Sequence, residues 1–171
     1  MSINSTWLSN DGIETNHLKL CSIQFSDAPF LIQLWTNEQV RKHLGGPITK
    51  DRAEQKAVEY IDKKGYFVVI QKSSGKTIGI CSLDKYRTGD IEVSFEFLPE
   101  AWGKGFAKES IVEAIKWGFE SMDINQIIAV TQATNTNSIN LLKSIGMIRK
   151  DEFIEFNEPQ IMYFINSSRF K

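Results

Sequence analysis

Phe95-Glu96-Phe97-Leu98-Pro99-Glu100-Ala101-Trp102-Gly103-Lys104-Gly105-Phe106-Ala107-Lys108 reads as a strand, a proline turn, a glycine loop and the start of a helix. Just upstream, Ile91, Val93, Phe95 and Phe97 alternate with Glu92, Ser94 and Glu96. That is the period of a strand with one face on a core. Pro99 cannot donate to a sheet ladder and marks the strand's end. Downstream, Ile111, Ile115, Gly118, Phe119 and Met122 recur on one helical face, while Lys104, Lys108, Glu113, Lys116 and Glu120 leave the rest charged. Gly103, Gly105 and Ala107 let an outside group approach the backbone. The N–H groups of a helix's first turn have no partner within the helix and carry about half a positive charge. The stretch therefore predicts a pyrophosphate cradle, with Lys104 and Lys108 adding positive charge. A glycine turn that only caps a helix is the alternative. No G-x-x-x-x-G-K-[ST] is present, and the run lacks the last small residue of G-x-G-x-x-G, so a P-loop and a dinucleotide fingerprint are excluded.

The 171 residues, 42% hydrophobic and 24% charged, fit a single globular domain spanning residues 1–171. A net charge of −1 from 20 basic and 21 acidic residues supports neither a nucleic-acid surface nor a polybasic membrane patch. Cys21, Cys81, His17 and His43 make no metal or redox spacing, so no metal is expected and the cysteines read as reduced core residues. No apolar run approaches the ~18–20 residues of a membrane span. Met1-Ser2-Ile3-Asn4-Ser5-Thr6 lacks a signal peptide's apolar stretch, which makes a cytoplasmic enzyme the simplest setting.

Residues 1–14 read as a polar arm with Trp7 and Leu8 as anchors. His17–Ile23 alternates as the first strand. Ser26 or Asp27 caps a helix with the stripe Phe30, Leu31, Leu34 and Trp35. Asn37–Leu44 reads as a short second helix stopped by Gly45-Gly46-Pro47. Thr49 caps a helix over about residues 50–63, ended by Gly65. Tyr66–Gln71 and Thr77–Lys85 form a hairpin around Lys72–Lys76, and Arg87-Thr88-Gly89-Asp90 turns into the strand described above. Ile127–Thr131 is an apolar run suited to a strand buried on both faces. A helix capped by Asn135 and Ser138 follows and ends at Gly146, and strands over 147–156 and 160–166 close the chain around Asn157-Glu158-Pro159. The order implies an α+β or mixed α/β sheet covered by helices.

Glu92–Ala107, E-V-S-F-E-F-L-P-E-A-W-G-K-G-F-A, resembles the acyl-CoA-binding motif of the GNAT N-acetyltransferases, and within them the bacterial ribosomal-protein N-terminal acetyltransferase branch. The superfamily loop is Q/R-x-x-G-x-G/A. Gly105 and Ala107 fill its small positions, and Trp102 replaces the leading Gln or Arg, as is common in that branch. Asn135-x-x-Ser138 followed by Leu141-Leu142 and Gly146, and the opening Thr15, Leu18, Leu20, extend the likeness over nearly the whole chain. The resemblance implies a mostly antiparallel central sheet of about seven strands, splayed at strands four and five, with acetyl-CoA between them. It implies cofactor contacts from Phe97, Leu98, Trp102, Gly103, Lys104, Gly105, Phe106, Ala107 and Lys108. Asn135 would face the pantetheine arm, and Asn140 and Lys143 lie on the helix that also contacts the cofactor.

Many superfamily members place a thiolate-protonating tyrosine where this chain has Leu142, so similarity to the branch leaves Ser138 as the candidate general acid. A CoA thiol, with a pKa near the ~8.5 of cysteine, leaves with little help. The acceptor must be a neutral amine. An α-amino group, pKa ~7.7–8.0, is partly neutral at pH 7, whereas deprotonating a lysine costs roughly 4–5 kcal/mol. Glu92 aligns with the glutamate of the branch's A-E-I-G-Y/F strand and is the first candidate base; Glu96, on the same strand face, is the second. Direct attack on the thioester would develop an oxyanion near the backbone N–H groups of Phe97-Leu98. No Ser-His-Asp or Cys-His set points to a covalent intermediate.

The expectation is acetyl transfer from acetyl-CoA to a primary amine, a protein N-terminus first and a polyamine or antibiotic second. A catalytically silent CoA-binding module and another phosphate-binding protein are weaker alternatives. Trp35, Tyr60, Tyr66 and Trp117 belong to the core or to the rim of the acceptor cleft. The oligomeric state, a homodimer included, is left open.

Overall fold

The computed structural model describes residue 8 and residues 12–170; Trp7 and most of the polar arm lie outside the described residues. Eight strands form one sheet in the order β1-β2-β3-β4-β5-β6-β8-β7. They are β1 (Ile13–Glu14), β2 (Leu18–Ser22), β3 (Tyr66–Gln71), β4 (Lys76–Lys85), β5 (Ile91–Phe97), β6 (Gln126–Gln132), β7 (Ile148–Glu155) and β8 (Glu158–Asn166). The helices are α1 (Ala28–Trp35), α2 (Glu38–Arg41), α3 (Lys50–Tyr60), α4 (Phe106–Ser121) and α5 (Thr136–Ser144). The expected seven strands become eight because Ile13 and Glu14 pair with Leu20 and Lys19, giving part of the arm a place at the sheet's edge.

Every neighbouring pair is antiparallel except β5 and β6, which run parallel and pair only at Ile91↔Ile127 and Glu92↔Ile128. Beyond that point β5 stays on β4 as far as Gly79↔Phe97, and β6 stays on β8 as far as Gln132↔Gln160. The two strands part like a V. This is the splay expected between strands four and five; the short first strand makes them β5 and β6.

Helices α4 and α5 cover one face of the sheet. Ile111, Ala114, Ile115 and Trp117 of α4 pack with Leu18, Leu20, Phe67, Leu83, Val93, Phe97, Ile127 and Tyr163, all buried. Trp117 therefore belongs to the core, edge-on to Phe67 at 5.3 Å between ring centroids. The other face carries α1 and α3. Leu31, Leu34, Trp35, Ala53 and Ala57 close over Tyr66, Val68 and Ile80. That second core runs as far as β4 and Leu98, just past the end of β5. Farther along, the same face presents Ser82, Asp84, Glu92, Ser94 and Glu96, which line a cleft.

Several details differ from the sequence reading, among them the second helix, which ends at Arg41 and not at Leu44. The helix expected over 50–63 ends at Tyr60, because Asp62 takes a left-handed conformation at φ 53° and its N–H goes to Ile23 O at 2.9 Å. Gly65, at φ +84°, instead lets β3 start against Leu83, whose N–H it accepts at 2.8 Å. The closing hairpin turns at Phe156 and Asn157, both left-handed, so Pro159 lies inside β8 opposite Ile154. Asp27 stands at the N-cap of α1, but its carboxylate accepts the Gln24 N–H at 2.8 Å and no side-chain cap bond forms.

Candidate active site

The glycine loop is built as the sequence predicted. Pro99–Ala101 forms a 3-10 turn after β5, and Gly103 and Gly105 sit at φ +71° and +81°. A side chain at either would meet nothing within 4 Å, so glycine is required there by the left-handed backbone and not by crowding. Gly105 is the N-cap of α4 and offers no side-chain acceptor. Glu109 N–H is the first to bond back, to Gly105 O at 3.0 Å. The amides of Phe106, Ala107 and Lys108 thus precede the helical ladder and suit an anion. Glu109, the acid of this first turn, faces away from the loop. It accepts from Thr15 Oγ1, from His17 N–H at 2.8 Å and meets His17 Nδ1 at 2.9 Å. Thr15 also accepts the Leu18 N–H at 2.9 Å, so the Thr15–Leu18 opening motif ties the β1–β2 turn to the start of α4.

Trp102 Nε1 donates to Phe97 O at 2.8 Å and pins the loop to the end of β5. Leu98, expected to supply an amide to the reaction, does not: its N–H bonds to Ile78 O at 3.0 Å and its side chain is buried beneath α1 and α3. Strand alternation then turns the Phe97 amide the other way, toward β6. Of the two amides expected near the reacting carbonyl, Phe97's is the one not taken up by β4.

The V between β5 and β6 opens into a cleft of ≈ 900 Å³. Phe97, Trp102, Gly103, Gly105, Phe106, Ala107, Lys108, Asn135, Ser138 and Asn140 line it, together with both candidate bases, Glu92 and Glu96. Leu98, Lys104 and Lys143 lie off its walls. Asn135 Oδ1 caps α5 by accepting the Ser138 N–H at 3.2 Å. Leu142 is buried in the core beside the cleft, so the helix turn that would carry a tyrosine carries none. His43, beyond α2, meets Gln132 Oε1 through Nδ1 at 3.2 Å and bridges the cleft.

The two glutamates differ. Glu92 stands where β5 and β6 part. Burial raises its carboxyl from 4.5 to about 7; the Val130 backbone N–H opposes the rise, and the nearby Glu155 and Asp84 charges add to it. Glu96 lies under α1 and α3. Trp35 Nε1 donates to its Oε1 at 3.2 Å, and Arg41 stands 3.7 Å from its Oε2. Asp84, between Tyr66 and the Lys63 ammonium at 2.8 Å, is held below its ordinary range despite partial burial. The acceptor side is walled by Tyr60 and Tyr66, edge-to-face at 4.4 Å, with Trp35 at 5.0 Å from Tyr60. Lys56, Asp84, His43 and Gln132 also line the cleft, and the sequence reading gives none of them a role there. Lys56 had a signal. It repeats at helical spacing with Ala53 and Tyr60 on the inner face of α3, a lysine where a core residue was due.

Residues 17–148 match the model of the acetyltransferase (GNAT) domain family. Over 141 residues the chain is 30% identical to the uncharacterized N-acetyltransferase p20 of Bacillus licheniformis, covering 77% of this chain and 79% of that one. A GNAT-family acetyltransferase from Bacillus anthracis superposes with a TM-score of 0.83 at 25% identity, over 92% of this chain and 99% of the other. Two solved structures at 21% identity share the fold. One is a Vibrio cholerae spermidine N-acetyltransferase with CoA and spermine, at TM-score 0.77 over 91% and 99% of the two chains. The other is a Vibrio fischeri ribosomal-protein-S5-alanine acetyltransferase, at 0.72 over 93% and 98%.

Proposed function

This chain belongs to the GNAT acetyltransferase family, whose members move an acetyl group from acetyl-CoA to an amine, and we propose that it does so with Glu92 as the proton acceptor. The supporting observation is the Glu92 carboxyl, raised to about 7 at the vertex of the splay. A base poised near neutrality is half ionised there and takes a proton without a large mismatch. Acetyl-CoA, when bound, supplies an activated acyl carbon and a thiolate leaving group. Phe106, Ala107 and Lys108 offer their amides to the pyrophosphate. Asn135 and Asn140 flank the arm that leads to the V. The Phe97 amide, turned toward β6, would donate to the acyl oxygen as negative charge develops there. Glu92 withdraws a proton from the attacking amine as the new C–N bond forms and the C–S bond breaks. Ser138, on the cleft wall, would return a proton to the departing sulfur.

The acceptor that fits this base best is an α-amino group, as at a protein N-terminus. Its pKa of ~7.7–8.0 lies within about one unit of Glu92, whereas a lysine or polyamine amine at ~10.4 lies more than three units above. Closeness to the ribosomal-protein branch rests on the same footing and on the W-G-K-G-F-A loop. One observation favours a second reading, a silent CoA-binding module: Leu142 is buried where many relatives carry the acid.

Thiol release from acetyl-CoA separates these readings. The panel holds peptides with different first residues, lysine peptides, polyamines and aminoglycosides. Release with N-terminal peptides that collapses in Glu92→Gln supports the proposal. Release with polyamines or aminoglycosides alone moves the acceptor to the small-molecule class. Silence across the panel, with CoA still raising the melting temperature, supports the module.

A further inference from the structure

Two groups on the acceptor side of the cleft keep unused hydrogen-bonding capacity. Glu96 Oε2 is buried and accepts no hydrogen bond from any described residue. Arg41 stands 3.7 Å from it, beyond hydrogen-bond range, and gives its Nε and one NH2 group to Gly46 O and Leu44 O. Lys56 lines the same cleft with its ammonium 4.2 Å from the Trp35 ring centre and 5.3 Å from that of Tyr60, and it donates to no oxygen among the described residues. A buried polar group left without a partner costs about 1–3 kcal/mol, more when charged. A ligand that satisfies both must present a donor to Glu96 and an acceptor to Lys56. An amide does both. A second ammonium would satisfy Glu96 but would stand beside two cations, Lys56 and Arg41.

Resting on the amine-acetyltransferase reading above, we propose that Lys56 and Glu96 are a specificity-determining pair. They select an acceptor that carries neutral amide groups beyond its reactive amine, and they exclude polycations. The strand sets the length of that acceptor. Glu92 and Glu96 share one face of β5 four positions apart, so their Cα atoms are about 13 Å apart. At least about four residues of extended peptide are needed to cover that distance. The acceptor is therefore an extended, peptide-like chain with its amine at Glu92 and a backbone amide between Glu96 and Lys56.

The test is thiol release from acetyl-CoA with two acceptors, a tetrapeptide amide with a free α-amine and spermidine. It is run on the unaltered protein, Lys56→Met, Lys56→Gln, Lys56→Arg and Glu96→Gln. CoA affinity of each variant reports whether the fold is intact, and Lys56→Gln carries the test if Lys56→Met fails to fold. The unaltered protein is expected to favour the tetrapeptide. Glu96→Gln raises the tetrapeptide KM about tenfold, with a smaller change in kcat, the size of one lost charge-assisted hydrogen bond. Lys56→Met and Lys56→Gln shift the kcat/KM ratio toward spermidine by about tenfold or more, and Lys56→Arg restores most of it. Spermidine as the better acceptor of the unaltered protein overturns the proposal. So does turnover with a ratio that no Lys56 substitution moves, and that outcome leaves the catalytic reading standing. No turnover of either acceptor overturns both.

Discussion

The two ends of β5 carry the same residue type on the same strand face, and their surroundings give the two residues opposite characters. Glu92 begins the strand beside β6, with two carboxylates nearby and no cation paired with it among the described residues, and its proton is held to about 7. Glu96 ends the strand under α1 and α3, with Trp35 on one oxygen and Arg41 and Lys56 around the other. On the proposed reading, one end exchanges a proton and the other holds a fixed partner. A glutamate's role in this cleft is decided by which helices reach it, and the strand that displays it contributes only its direction.

The sharpest way to break this contrast is to remove each carboxylate in turn. Glu92→Gln should lower kcat by about 10²–10⁴-fold, the usual worth of a general base, while CoA affinity is kept. Glu96→Gln should act mainly on acceptor KM. Equal losses of kcat in the two variants would erase the distinction. The pH profile sharpens it. With Glu92 and an α-amine both needing to lose a proton, the acid limb of log kcat/KM should approach a slope of two below pH 7. In Glu92→Gln it should fall to one, with only the amine's ~7.7–8.0 left.

Stability gives the next effect in size. Because the folded pKa of Glu92 lies above the unfolded value, 4.5 rising to about 7, the folded state binds the extra proton. Below 4.5 the group is neutral in both states. From there stability falls as pH rises, and above 7 the buried anion costs its full amount, on the order of 3 kcal/mol. Glu92→Gln should therefore raise the denaturation midpoint at pH 8 and leave it nearly unchanged at pH 4. A variant no more stable at pH 8 would remove the case for a neutral-range base. Gly79→Ala strikes the opposite end. A side chain there would lie 2.7 Å from Glu96 O and run into the Phe97 ring, so it should cost about 1–3 kcal/mol in urea unfolding and weaken acceptor binding more than it slows the chemistry. Trp102→Phe is the mildest. It removes the 2.8 Å bond to Phe97 O, with an expected loss of about 1 kcal/mol and a few-fold weaker CoA binding in calorimetry.

Much of this molecule is written locally. The alternation of Ile91–Phe97, the helical stripe of α4 and the two glycines at positive φ follow from neighbours in the chain, and they suffice to predict the loop and the cradle. The splay is different. It consists of ladder pairs that β5 and β6 do not make after Glu92 and Ile128, and no residue of either strand announces that. The division of labour between the glutamates is equally distant. Trp35, Arg41 and Lys56 lie tens of residues upstream of Glu96, on three helices that meet only in the folded chain. Leu98 misled for a local reason. It adjoins the loop, but strand alternation and the Ile78 carbonyl take its amide to the far side.

The seam between β5 and β6 makes the sheet two leaves bound on a short spine. One leaf holds β1 to β5 and the other β6, β8 and β7, with two register pairs between them. A load that spreads the leaves meets little backbone cross-linking there, and side-chain packing beneath α4 has to carry the rest. A molecule lodged in the opening touches both leaves and acts as a removable rivet. On the proposed reading, the stiffness of this seam follows the occupancy of the cleft, and product release returns it to its two backbone pairs.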